Sequence, residues 1–159
     1  MNVISDTSSK KVDLTTTQNP ALPGERRILL VDDDKDALQY SMDVLTAAGY
    51  LVEGFEDGAA GWKALQSNNY DLVLTDNKMP KMTGIEMIEK LRSARMAIPV
   101  ILATGTSPVH EFVRKPWLKP DAILQKPFSS DQLLEAVRNV LGTDDGNESG
   151  KETLPPPCL

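Results

Sequence analysis

The chain has 159 residues, 40% of them hydrophobic and 25% charged, with a net charge of −6. That size and mix suit one globular domain, and an acidic balance without a long basic run argues against nucleic acid or an anionic membrane surface as the main partner. No apolar run has bilayer length, the N-terminus lacks the apolar core of a signal peptide, and a single cysteine, Cys158, permits neither an internal disulfide nor a cysteine zinc site, so a cytoplasmic protein is expected.

Residues 1–24 are rich in Ser, Thr, Asn, Asp and Lys, have no helical or strand period, and read as a flexible leader. "RILLVD" (27–32) is the first apolar run of strand length. "DALQYSMDVLTAAGY" (36–50) places Leu38, Met42 and Leu45 at helical spacing and stops at Gly49. "YLVEGF" (50–55) is a second strand and "GAAGWKALQSN" (58–68) a short helix. "DLVLTD" (71–76) is a third strand. "GIEMIEKLRSAR" (84–95) carries Ile85, Ile88 and Leu91 on one helical face. "IPVILAT" (98–104) is a fourth strand. In the segment that follows, Pro108, Pro116 and Pro120 predict a short fourth helix. "DAILQK" (121–126) is a fifth strand, and "SSDQLLEAVRNVL" (129–141) a last helix stopped by Gly142. Residues 143–159 are polar, end in a proline run, and read as a flexible tail.

Strands thus alternate with helices, and the first, third and fourth strands are continuously apolar, as strands buried on both faces should be. The expected fold is an α/β flavodoxin-like, doubly wound five-stranded parallel sheet in the order 2-1-3-4-5, with five helices and the domain spanning residues 25–142. Ligands in such folds bind outside the carboxyl ends of the strands. There the first strand offers Asp32, Asp33 and Asp34, the third Asp76, the fourth Thr104, and the fifth Lys126 followed by Pro127. Asp34 reads as an N-cap of the first helix. The other carboxylates crowd where a hard divalent cation would neutralise them, and Mg²⁺ takes oxygen ligands. Together with a lysine and a hydroxyl they suit a phosphoryl group, for which an aspartate is a fitting acceptor. No Ser/His/Asp set and no Gly-rich nucleotide loop is present, and His110 stands alone, so the phosphoryl group must come from an external donor. Trp62 and Trp117 read as packing residues.

Four motifs in this order resemble the receiver domain of two-component response regulators: "ILLVDDD", "DLVLTDNKMPKMTG", "PVILATG" and "ILQKPF". The likeness covers residues 26–141 and is to a single-domain, chemotaxis-regulator-like receiver. It implies a phosphorylated aspartate at Asp76, a direct Mg²⁺ ligand at Asp33, and Asp32 acting mostly through water. It also implies the backbone carbonyl of Lys78 as third ligand, Thr104 on a phosphoryl oxygen, Lys126 pairing with Asp76 and then the phosphoryl group, and a cis bond before Pro127. Receivers commonly place an aromatic switch residue three positions before the lysine, where this sequence has Ile123. The implied partners are a sensor histidine kinase or histidine phosphotransfer protein and an unknown output protein, with no nucleic acid and no membrane. The implied chemistry is not that of an enzyme, beyond the domain's own phosphorylation and dephosphorylation.

Only 17 residues follow position 142, so a stand-alone receiver that acts through protein contacts is expected. Two other readings stand beside it. One is a pseudo-receiver that keeps the fold without phosphorylation. The other is a Mg²⁺-dependent phosphatase of the haloacid dehalogenase type, whose second motif aspartate is missing here because Asn77, Lys78 and Met79 follow Asp76.

Overall fold

Each apolar run becomes a strand and each amphipathic stretch a helix that covers one face of the sheet they form. The computed structural model describes residues 25–142. In chain order the elements are β1 (Arg27–Val31), α1 (Lys35–Ala47), β2 (Leu51–Phe55), α2 (Gly58–Ser67), β3 (Leu72–Asp76), α3 (Gly84–Ser93), β4 (Val100–Thr104), α4 (Val109–Arg114), a 3₁₀ turn (Pro116–Leu118), β5 (Ala122–Gln125) and α5 (Ser130–Leu141). All strand pairs are parallel, and the order is β2-β1-β3-β4-β5. This is the flavodoxin-like arrangement expected from the sequence. The expected leader and tail, and Cys158 with them, lie outside the described residues.

Alternation along the strands splits the core in two. On one face Leu29, Val31, Val73, Val100 and Leu102 pack with Leu65 of α2 and Met87, Ile88 and Leu91 of α3. On the other Ile28, Leu30, Leu72, Leu74 and Ile101 pack with Leu38 and Leu45 of α1 and Leu133 and Val137 of α5. β3 and β4 are buried along their whole length, whereas the edge strand β5 buries only Leu124.

Helix starts are fixed by side chains that accept the first free amides. Asp34 accepts from the N–H groups of Asp36 and Ala37, as its expected cap role requires. Such a cap is worth about 1 kcal/mol. Thr83 with Glu86, and Ser129 with Gln132, form capping boxes at α3 and α5. By contrast α4 has no side-chain cap and buries no residue of its own. It is six residues long, as the three prolines predict. Pro116 follows at once and disfavours helical backbone at Lys115. The 3₁₀ turn then sends Leu118 into the core and leaves Trp117 59% exposed. The packing role expected for Trp117 is therefore wrong, while Trp62 does pack against the core. No helix among the described residues is long and apolar enough to cross a membrane.

Candidate functional site

Parallel strands with right-handed crossovers bring all their carboxyl ends to one rim. The registers place Val31 beside Thr75, and Asp76 beside Ala103. The side chains just past those positions therefore meet. Carboxylate oxygens of Asp32, Asp33 and Asp76 all lie within 4.8 Å of one another. Asp32 and Asp76 are buried and Asp33 is exposed.

Lys126 reaches into this cluster from the end of β5. Its Nζ lies 3.0 Å from Asp32 Oδ2 and 3.0 Å from Asp76 Oδ1. Burial works against the ammonium, but its hydrogen bonds to Asp76 and Asp32 outweigh that and raise its pKa. Burial also pushes the Asp76 carboxyl up. Lys126 pulls it back, while the charges of Asp32 and Asp33 push in the same direction as burial. The two shifts differ in origin: burial leads for Asp76, whereas Lys126 is raised by its two carboxylate partners against burial, and with three acids to one ammonium negative charge remains in excess.

That excess, and a donor set made of oxygens alone, fit a hard divalent cation such as Mg²⁺. Asp32 is already committed: its Oδ1 accepts from the Asp34 N–H at 2.9 Å and its Oδ2 from Lys126. Among the described residues Asp33 has no such bond, and it is exposed, which suits a direct ligand. The peptide bond between Lys126 and Pro127 is cis, as expected.

Three features of the site were not foreseen. Thr104, 2% exposed, donates its hydroxyl proton to the Thr106 carbonyl at 2.7 Å and accepts the Thr106 N–H at 3.2 Å. Asn77 closes the loop after Asp76: its backbone carbonyl accepts from Gly84 N–H at 3.0 Å and its Oδ1 from Ile85 N–H at 3.2 Å. The third is the second partner of Lys126, Asp32, where only Asp76 was expected. The turn-forming tendency of Asn was a sequence signal for the second feature; the first and third depend on side-chain rotamers. Lys78 is exposed and makes no ion pair among the described residues. Ile123 is 40% exposed, on the outer side of β5. His110 is exposed on α4 and is not a member of the carboxylate cluster.

The response regulator receiver domain family matches residues 28–138. The chain belongs to that family. As a receiver it is a signalling domain of a two-component system, and its acidic cluster agrees with the Mg²⁺ pocket of the family. It is 32% identical over 115 residues to the transcriptional regulatory protein CusR of Escherichia coli strain K12, covering 72% of this chain and 51% of CusR. It is 34% identical over 128 residues to RprY of Bacteroides fragilis, covering 80% of this chain and 54% of RprY. The chain thus spans about half the length of the curated relatives it matches. Because those relatives are transcriptional regulators by name, the absence of a nucleic-acid partner expected from charge finds no support in them.

Among solved structures, a CheY-like receiver from Methanospirillum hungatei superposes with a TM-score of 0.68 at 32% identity, covering 73% of this chain and 93% of that one. TrrA of Thermotoga maritima, solved in complex with Mg²⁺ and beryllofluoride, gives 0.66 at 31% identity, covering 73% and 99%.

Proposed function

We propose that Asp76 accepts a phosphoryl group, in a Mg²⁺-dependent reaction, from the phosphohistidine of a sensor histidine kinase or histidine phosphotransfer protein. The phosphorylated domain then signals through protein contacts. The observation that carries this reading is the Lys126 ammonium held 3.0 Å from both Asp32 and Asp76 inside a cluster of three carboxylates.

In the transfer an Asp76 carboxylate oxygen forms a bond to phosphorus as the donor's N–P bond breaks. The imidazole leaves with the electron pair and takes a proton from water. Lys126 stays at its position and moves its hydrogen bond from Asp76 Oδ1 to a phosphoryl oxygen, where charge accumulates. The Thr104 hydroxyl gives up the Thr106 carbonyl for a charge-assisted bond to another phosphoryl oxygen. Asp33, Asp76 and the Lys78 carbonyl would hold Mg²⁺, with Asp32 acting through water. Bound there, the ion supplies neutralising charge to the carboxylates and the phosphoryl oxygens. TrrA, a similar chain solved in complex with Mg²⁺ and beryllofluoride, supports a Mg²⁺-dependent reading.

Incubation with acetyl phosphate and Mg²⁺, followed by intact-mass and peptide analysis, tests the proposal. One phosphoryl group on Asp76, absent from Asp76→Ala, is the expected result. Continuous phosphate release would indicate a phosphatase, and an unmodified protein a pseudo-receiver.

The exposed Lys78, two residues past Asp76, bears on the lifetime of the product. A long cation there obstructs in-line water and holds phosphoryl charge. Lys78→Asn is expected to lose its phosphoryl group roughly 3- to 10-fold faster, a barrier change of about 1 kcal/mol. A phosphate-release time course compares the two, and a longer lifetime in the variant would contradict this role.

A further inference from the structure

Among the described residues the loop after Thr104 is held from outside by a single side chain. Gly105, Thr106 and Ser107 are all exposed. Gln125 Nε2 donates to the Gly105 carbonyl at 3.1 Å. Among the described residues no other side chain beyond the Thr104–Thr106 segment hydrogen-bonds this loop. Gln125 is itself fixed by the sheet: it is the register partner of Thr104, and the next residue's N–H, that of Lys126, donates to the Thr104 carbonyl at 2.9 Å.

Two restraints therefore act on adjacent carbonyls. The Thr106 carbonyl takes the proton of the Thr104 hydroxyl, and the Gly105 carbonyl takes the Gln125 amide. The hydroxyl has one proton, so it can serve the Thr106 carbonyl or a phosphoryl oxygen but not both. Gly105 bears on the same loop. Its backbone is not left-handed, and a Cβ there would meet nothing within 4 Å. The resting shape does not demand glycine, so what glycine contributes is freedom to leave that shape. Ile123 lies two residues before Gln125 on the same side of β5 and has neither ring nor polar group with which to sense the loop.

We infer that Gln125 is a positioning residue: its amide holds the loop in the arrangement that occupies the Thr104 hydroxyl, and so opposes delivery of that hydroxyl to a phosphoryl group on Asp76. The inference rests on the phosphoryl reading of the site. A modification shifts an equilibrium only through contacts that differ between two states. Here one neutral hydrogen bond present in the resting loop sets the size, about 2- to 10-fold in an equilibrium constant.

Gln125→Met keeps the side-chain length and removes the donor. Hydrogen exchange of the metal-free protein is expected to quicken about 2- to 10-fold at the Thr106 amide. Calorimetric titration with beryllofluoride and Mg²⁺ is expected to show binding tighter by a similar factor. In a Thr104→Ala background the same substitution should leave that affinity unchanged. A merely structural contact would weaken binding when lost, so tightening distinguishes the two roles. Unchanged exchange overturns the inference. So does unchanged or weaker affinity, or tightening that persists with Thr104→Ala. A native protein that binds no beryllofluoride overturns the phosphoryl reading itself, and the exchange rates then decide the tether alone.

Discussion

Asp33→Ala is expected to abolish Mg²⁺-dependent phosphorylation while leaving the metal-free fold at least as stable as the native one. Among the described residues Asp33 is the one member of the carboxylate cluster that is exposed and not bound to Lys126 or a backbone amide. If Asp33 is the direct ligand proposed, its loss should weaken Mg²⁺ by at least the roughly 10- to 100-fold that even an outer partner of a metal site is worth. Stability moves the other way. Removing one of three like charges relieves repulsion that also pushes the Asp76 pKa up. Helix α1 keeps its start, because Asp34 supplies the cap. Thermal unfolding with and without Mg²⁺ separates the two effects. A cation that binds only the folded protein adds about 2.7 kcal/mol at a concentration 100 times its dissociation constant. The native midpoint should rise with Mg²⁺ and that of Asp33→Ala should stay flat. A variant that still gains stability from Mg²⁺ and takes phosphate at the native rate would refute the assignment of Asp33 as ligand.

The order of elements was legible because two periods alternate cleanly along the chain. Residues 71–76 and 98–104 contain unbroken apolar runs that only a strand buried on both faces requires, and β3 and β4 are those strands. The place of the candidate site was legible for a related reason. Asp32, Asp33, Asp76 and Lys126 each stand at or just past the end of a strand run, where charge is costly to bury unless an opposite charge or a ligand compensates it. What the sequence hides is the last few ångströms. The Lys126 stem is long enough to reach either acid, and packing sets it between both. Thr104 reads only as a hydroxyl; its commitment to Thr106 depends on how the loop folds back. Trp117 misled because aromatic rings are usually packed, whereas Pro116 starts a 3₁₀ turn whose inward residue is Leu118. Gln125 looks like an ordinary edge-strand residue until the Gly105 carbonyl is seen beside its amide.

Gly84→Ala is expected to cost stability and impair the site together, whereas Gly105→Ala should do neither to the resting protein. Gly84 opens α3 directly over the end of β3. A Cβ there would lie 2.5 Å from the Asp76 carbonyl oxygen, 2.7 Å from Leu102 Cδ1 and 3.1 Å from Asn77 Cα. Two of these atoms are backbone and cannot rotate away. Gly54 differs, since its Cβ would first meet the sulfur of Met42, a flexible side chain that can yield. To admit the methyl group at position 84, α3 must shift from β3. That strains the bond from Gly84 N–H to the Asn77 carbonyl and the bond from Ile85 N–H to Asn77 Oδ1. Both bonds shape the loop that carries the Lys78 carbonyl. Overpacking of this kind costs about 1–3 kcal/mol, or roughly 5–15 °C in the unfolding midpoint of a domain near this size. Phosphorylation by acetyl phosphate should slow in parallel, because the strained bonds hold the loop that directly follows Asp76. At Gly105 the added carbon has open space and an ordinary backbone conformation. There the loss of unfolded-state freedom dominates, and a gain of about 0.4–1 kcal/mol is expected. Urea denaturation of the two variants beside the native chain reads both signs at once. If Gly84→Ala unfolds at the native midpoint, the close approach of α3 to the Asp76 carbonyl does not hold this site in shape.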